Sequence, residues 1–364
     1  MSDRGIQPRG DRSEQARAAL NALITRGKTP GIQYVVVDSA RTLFEYDGGW
    51  ADLGNRIPMR PDTTLMAYSM SKTITAVAAL TLVQERCLDL DRPIDDYVEG
   101  SPYGPAVTVR QLISHTSGIP NPIPLRWVHP ADATPFDEPE ALARVLRQYA
   151  RLASRPGTRY AYSNIGYWLL GSVIARASGA PFTAYVDRHL REDLRLSPDD
   201  LGYMIPDPAR HAAGYLEKYS WINLLKGFLV DPTLIGDYER RWLRIRSHYV
   251  NGPAFGGLVG TARGFATFLQ DQLRHRSRLL DEATRALFYT PQQVASHTLI
   301  PMTLGWHVGT GSSGSYFYKE GGGGGFHCMM RLYPGNGVGT VVMTNATGFD
   351  VYGCLNSLDP LFLT

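Results

Sequence analysis

Cysteine is scarce in this chain. The 364 residues hold three, Cys87, Cys328 and Cys354, odd in number and far apart, which argues against a disulfide framework or a thiolate metal cage and predicts buried, reduced thiols. The nine histidines contain no His-x-x-x-His pair, so no metal and no metal-borne cofactor is implied. Charge of one sign is also lacking: the net charge is +3, and no Lys/Arg block with interleaved aromatics suggests a nucleic-acid surface, so no nucleic-acid partner is expected. No apolar run reaches the length of a membrane span. The start, Met1 to Arg12, is polar and broken by Gly and Pro, and without an apolar stretch before a cleavage site it predicts a cytoplasmic address and no membrane partner. No Gly-x-Ser-x-Gly elbow occurs, which disfavours the common Ser-His-Asp esterase fold. Gly309-Thr310-Gly311-Ser312-Ser313-Gly314 matches the dinucleotide fingerprint by letter. A helix must follow that fingerprint, whereas strand-like Ser315 to Tyr318 follows here, so the segment reads as a hairpin loop.

With 43% hydrophobic and 20% charged residues, the composition is that of a globular protein. Its length calls for one large domain or two that pack intimately. Ala16, Leu20, Leu23 and Ile24 share one helical face, which predicts a helix over 14–26 ended at Gly27. Strand patterns cover 32–37 and 42–46 near the start, then 304–308, 314–318, 326–333 and 339–343 near the end, with short turns between. The expected fold is α/β (α+β), an antiparallel sheet flanked by helices and assembled from both chain ends. Residues 1–12 read as a flexible tail, 13–85 and 254–364 as the α/β domain, and 86–253 as a mostly helical domain. That insertion has helices expected at 107–114, 139–152 and 164–178, the last ended by Gly179, and long loops at 120–136 and 206–253 that wall a cleft.

Ser69-Met70-Ser71-Lys72 opens the apolar run Thr73 to Leu80. On a helix, positions three apart share a face, so the Lys72 amine would stand beside the Ser69 hydroxyl at a helix start, where orphan N–H groups favour an oxyanion. A capped surface helix with Lys72 in solvent fits the same four letters. Tyr162 and Asn164 lie two apart at a loop-to-helix junction, as cleft residues or as a core tyrosine and a helix cap. Lys319-Glu320-Gly321-Gly322-Gly323-Gly324-Gly325 follows a strand, where residues without Cβ let a ligand approach the backbone. Among the loop aromatics, Tyr219, Trp221, Ile222, Leu224, Leu225 and Phe228 read as a pocket wall or as core, Trp127 and His129 as pocket candidates, and the basic run 239–246 as a solvated helix face.

In this order and spacing, Ser69-x-x-Lys72, Tyr162-x-Asn164 and Lys319-x-Gly321 resemble the three motifs of the serine β-lactamase and penicillin-binding-protein superfamily, nearest the class C β-lactamase-like branch with its family VIII carboxylesterases. The segments 112–118 and 256–261 extend the resemblance, which runs from about Gly31 to Met343. It implies a β-lactamase/transpeptidase-like fold, an acyl-enzyme on Ser69, and proton handling by Lys72 and Tyr162, with Tyr162 suggested as base. It also implies an oxyanion hole from the Ser69 and Gly322 N–H groups, and substrate contacts from Asn164, Lys319, Glu320, Gly321, Trp127 and Trp221. Glu320 stands where β-lactamases commonly carry a small hydroxyl residue, and an acid there would repel a β-lactam carboxylate. The expected activity is therefore a carboxylesterase on small acyl esters. A class C-like β-lactamase, a D-aminopeptidase or amidase, an acyltransferase and a non-turnover sensor use the same residues.

Overall fold

The computed structural model of the protein describes residues 9–122, 127–133, 136–311 and 314–363. Strands β1 (Gly31–Val37), β2 (Thr42–Asp52) and the two-residue β3 (Ile57–Pro58) meet four strands from the far end, β4 (His307–Gly311), β5 (Gly314–Gly323), β6 (Phe326–Tyr333) and β7 (Val338–Thr344). They lie in the order β4-β5-β6-β7-β1-β2-β3, with every neighbouring pair antiparallel. Ile32 of β1 faces Thr344 of β7, so both ends of the chain meet in one sheet, as expected.

Alternate residues of a strand point to opposite faces, and here both faces are covered. Ile32, Tyr34 and Val36 enter one core with Ala16, Leu20 and Leu355, from the helices Arg9–Thr25 and Val351–Leu358. Val35 and Val37 enter the larger core, with Phe265 and Leu269 of the helix Ala262–Leu273. On the first face the buried Asp359 carboxylate accepts from Tyr34, Tyr333 and Thr340 hydroxyls and stands 3.5 Å from the Arg331 guanidinium.

The helix Ser71–Gln84 runs through the larger core, and its first twelve residues are buried. It packs against the helices Asn164–Ser178, Glu282–Tyr289 and Pro253–Gly256. Because neighbours surround it, its sequence is apolar on all sides rather than along one stripe. Each fully buried Leu or Ile adds about 1.5–3 kcal/mol. Its N-terminus is thereby held rigidly under β5.

Several boundaries differ from expectation. The first helix begins at Arg9, so part of the expected tail is helical, and residues 1–8 lie outside the described residues. The expected helices at 107–114 and 139–152 shrink to Val109–Ile113 and Glu138–Gln148. Asn164–Ser178 has the expected limits and ends at Gly179 with φ +69, but Ser163 caps its start. The region 206–253 is not an irregular loop: Gly214–Glu217, Trp242–Ile245 and Ile235–Glu239 form a small antiparallel sheet. The basic run is thus a hairpin, turning at Arg240 with φ +60, and Arg244 binds Asp52 and Glu239 instead of facing water. Its neighbours Ala213, Tyr215 and Trp242 pack with the sheet's first core, so the second half of 86–253 departs from the mostly helical expectation. Cys328 and Cys354 are buried thiols, but Cys87 is exposed.

Candidate active site

Ser69 sits in the single 3₁₀ turn Tyr68–Met70 that feeds directly into Ser71–Gln84. Tyr68 takes φ +44, a left-handed conformation that is costly for a bulky residue and persists only where the surroundings over-determine it. Those surroundings are visible. The Tyr68 hydroxyl bonds His248 Nε2 at 2.7 Å, and its ring fills the place a Gly323 Cβ would take. His248 Nδ1 is satisfied by Arg246 O at 2.8 Å.

Lys72, one turn on, is fully buried, and its Nζ lies 3.0 Å from Ser69 Oγ. The same Nζ donates to Asn164 Oδ1 and to Phe255 O, each at 2.7 Å. Burial, and then the nearby Lys319 charge, hold its pKa well below 10.5. The Tyr162 hydroxyl donates to Ser69 Oγ at 2.8 Å. Burial raises the Tyr162 pKa above 10.0, and the bond to Ser69 offsets only part of that. Both groups are therefore driven toward their neutral forms. The two carbonyls at Lys72 can only accept, so a neutral amine spends its two hydrogens there and turns its lone pair to Ser69.

Lys319 is also fully buried, and its Nζ has no hydrogen-bond partner among the described residues. Burial lowers its pKa to about 7. It stands 5.7 Å from the Tyr162 ring and 5.9 Å from the Tyr167 ring. Lys319 and Gly321 do not leave the strand, as the sequence reading had it, because β5 continues to Gly323. Pairing with β4 stops at Tyr318, so the 319–323 edge has β6 on one side only. That open edge presses on the nucleophile turn: a Cβ on Gly321 would lie 2.1 Å from Ala67 O and 2.9 Å from Ser69 N. Gly321 is thus needed for close contact with the chain's own backbone. Gly322 lines the same cavity as Ser69.

Glu320 needs a correction. The strand pleat turns it to the face opposite Lys319 and Gly321, paired with Met329 of the other core. There its carboxylate bonds His327 Nε2 at 2.7 Å and the Tyr352 hydroxyl at 2.8 Å. It does not line the cavity at Ser69, so the expected repulsion of a substrate carboxylate has no geometric basis.

That cavity, of about 300 Å³, is lined by Trp127, Val128, Leu216, Val230, Leu234, Val250 and Phe255 beside Ser69, Tyr68, Asn164 and the 322–324 glycines. Trp127 is there as expected. Trp221 is not: it is 80% exposed on a short helix at the molecular surface. His129 bonds Asn251 and stacks on Phe136, and it too is absent from the lining.

Two further residues escaped the sequence reading. Asn121 Oδ1 accepts from Asn164 N and Nδ2, both at 3.1 Å, and so locks the amide that holds Lys72. His115, at φ +58, stacks on Tyr162 with centroids 4.3 Å apart and accepts at Nδ1 from Ser163 N. Its proton therefore sits on Nε2, which has no partner among the described residues. Burial, then Lys319 and Lys72, keep the ring neutral. The segment 112–118 marked a resemblance without marking this role. Among the described residues no group of three His, Cys, Asp or Glu is arranged to hold a metal ion, and no helix is long and apolar enough to cross a membrane.

An antiparallel sheet covered on both faces, with Ser-x-x-Lys at the head of a buried helix, is the build of the serine hydrolases that include β-lactamases and penicillin-binding proteins. The sequence profile of the Beta-lactamase family matches residues 14–357, and the chain belongs to that family. Esterase EstB of Burkholderia gladioli is 30% identical over 220 residues, which cover 54% of this chain and 53% of that protein. Protein flp of Staphylococcus aureus (strain MW2) is 25% identical over 193 residues, 51% of this chain and 38% of that one. The chain thus spans about half or less of these curated relatives. The D-amino acid amidase of Ochrobactrum anthropi SV3, solved with L-phenylalanine amide, shares the fold with a TM-score of 0.77 at 22% identity, covering 96% of each chain.

Proposed function

We propose that the protein is a carboxylesterase that hydrolyses small, uncharged acyl esters through an acyl-enzyme on Ser69. The observation that carries the reading is the cavity wall: no lysine or arginine lines it, and its one charged residue, Asp231, is acidic. A substrate carboxylate, as in a β-lactam, would enter without a counter-ion and lose its hydration. A neutral ester with an apolar acyl group loses little and gains about 25 cal/mol per Å² of apolar surface buried. The resemblance to an esterase over half the chain supports the same choice.

In this reading the Ser69 hydroxyl gives its proton to the neutral Lys72 amine as Oγ attacks the ester carbonyl. The oxyanion is received by the Ser69 and Gly322 N–H groups, each such donor being worth roughly 100- to 1000-fold in rate. Tyr162, already donating to Oγ, passes its proton to the departing alkoxide and recovers one from Lys72. Water then attacks the acyl-enzyme by the reverse relay. The raised pKa of Tyr162 and the lowered pKa of Lys72 support Lys72, rather than Tyr162, as the initial base. Asn164 and Asn121 orient that amine, and Lys319 supplies field rather than a direct substrate contact.

The test is turnover of a short-chain p-nitrophenyl ester beside a chromogenic cephalosporin, for the native protein and Ser69→Ala. Multiple turnover of the ester, lost in the variant and with little cephalosporin cleavage, is the expected result. Dominant cephalosporin cleavage, or a single stoichiometric burst without deacylation, overturns the proposal.

A further inference from the structure

Between Tyr219 and Phe228 the chain does what a soluble surface rarely does. Tyr219 and Trp221 are 80% exposed, Leu224 71%, Leu225 51% and Phe228 55%. Trp221 and Leu224 ride on the single-turn helix Trp221–Leu224 and Phe228 on the next, Lys226–Leu229, with Tyr219 before the first and Leu225 between them. So many large apolar side chains in one ten-residue stretch mark an interaction surface. The chain on either side leads straight into the cavity, for Leu216 just before it and Val230, Asp231 and Leu234 just after it line the wall near Ser69. The patch is thus joined along the chain, on both sides, to the wall of the apolar cavity.

Charge around the patch has one sign in excess. Residues 217–246 contain six Lys/Arg and four Asp/Glu. Arg241 engages Glu217, and Arg244 engages Glu239 and Asp52, whereas Lys218 and Lys226 form no ion pair among the described residues. The Lys218 and Lys226 ammonium groups stand 5.5 and 5.7 Å from the centre of the Tyr238 ring, and Tyr238 is itself 44% exposed, so both cations sit at the border of the patch. Exposed Trp, Tyr, Leu and Phe fringed by lysine is the composition that enters a lipid–water interface and favours an anionic one.

We infer that residues 219–228 seat the enzyme on the surface of an aggregated lipid ester, a bilayer or micelle of anionic character, and that the water-insoluble acyl ester passes from that surface into the Ser69 cavity. The final clause rests on the esterase reading; the seating itself does not.

The experiment uses the full chain in two assays. In the first, native protein and Ser69→Ala are sedimented with phosphatidylcholine vesicles with and without phosphatidylglycerol. In the second, initial rates are followed as a short-chain triacylglycerol passes its solubility limit. Binding that is stronger to the anionic vesicles and unaffected by Ser69→Ala is expected, with a rate rise on crossing the limit. Leu224→Ser with Phe228→Ser should weaken vesicle affinity about tenfold or more, as expected for removing two large apolar groups, and abolish the rate rise. Turnover of a dissolved p-nitrophenyl ester should stay at the native level, which also reports that the variant is folded. Lys218→Gln should weaken binding to the anionic vesicles only. Absence of vesicle binding by the native chain, equal binding by the double variant, or a concentration-dependent dimer that the double variant disrupts in place of vesicle binding, overturns the proposal. Vesicle binding without any ester turnover would instead leave the seating intact and remove the esterase reading.

Discussion

Asn164 Oδ1 holds the Lys72 amine at 2.7 Å and takes one of the two hydrogens of its neutral form. With Phe255 O taking the second hydrogen, the lone pair of the neutral amine is left for Ser69. An arginine at this position stays protonated at all working pH values and offers no lone pair. Lys72→Arg should therefore lower kcat/KM by about 100- to 10,000-fold, the range of a lost general base. In the native enzyme activity should fall as pH drops through the Lys72 pKa, because only the deprotonated amine accepts a proton. The midpoint of that acid limb should lie well below 10.5. A pH–rate profile of kcat/KM with an uncharged ester checks both.

Tyr162 has a complete hydroxyl contact and a ring held by His115. Tyr162→Phe keeps the ring and removes the proton donor, so kcat should fall about 100- to 1000-fold while KM changes little. His115→Leu removes the stacked ring and the acceptor for Ser163 N, and it should lower kcat in the same direction. The two effects should be non-additive in the double variant, since both act through one hydroxyl. Steady-state kinetics of the four proteins is the measurement.

Lys319 carries a cost that can be read by pH. Its pKa is about 7 in the folded protein against an ordinary 10.4 in an unfolded chain, so between those values the unfolded state binds the extra proton. Stability from this group therefore rises with pH across that window and is lost as pH falls toward 7. Lys319→Met should raise Tm, by more at pH 7 than at pH 10. The same variant removes a positive charge that depresses the Lys72 pKa, so the acid limb of the activity profile should move to higher pH. Thermal melts and the pH profile together separate these effects.

At Gly321 a methyl group would meet Ala67 O at 2.1 Å, and neither backbone can yield without moving the nucleophile turn. Gly321→Ala should abolish ester turnover. Gly348→Ala, where a Cβ meets nothing within 4 Å, should leave it unchanged. Titration of Ser69 with a fluorophosphonate probe checks whether the nucleophile is still reachable.

Asp359 is buried with four partners, Tyr34, Tyr333, Thr340 and Arg331. Asp359→Ala leaves the Arg331 guanidinium uncompensated in the interior and should destabilise the fold by about 3–5 kcal/mol. Chemical denaturation reads the change, and none of the partners of Asp359 touches Ser69 among the described contacts.

How far the sequence spoke differs from residue to residue. Gly179 marked the end of the Asn164–Ser178 helix, because a residue without Cβ takes the left-handed φ of a common helix terminator at little cost. The run Ile32 to Val37 announced a strand through its β-branched and aromatic content, and the structure buries it on both faces, Gln33 included. Around the site, local periodicity did bring Ser69 and Lys72 together, since they share one turn. Glu320 was misjudged because β5 extends five residues farther than the aromatic pattern of Tyr316 to Tyr318 indicates, and the pleat through the glycines sets which side each residue takes. Asn121 and His115 were passed over because they lie more than forty residues from the groups they touch. Trp221 read as a wall residue because apolar character alone does not say whether a side chain lies inside or outside.

The meeting of β1 with β7 has a bearing on when the protein becomes active. Strand β1 and Ser69 are made before Val338–Thr344, so until then β1 has no partner on its β7 side. Lys319 and Gly322 reach Ser69 only through that same sheet. A growing chain therefore holds its serine, while the residues between are made, without the field and the oxyanion donors proposed to arm it.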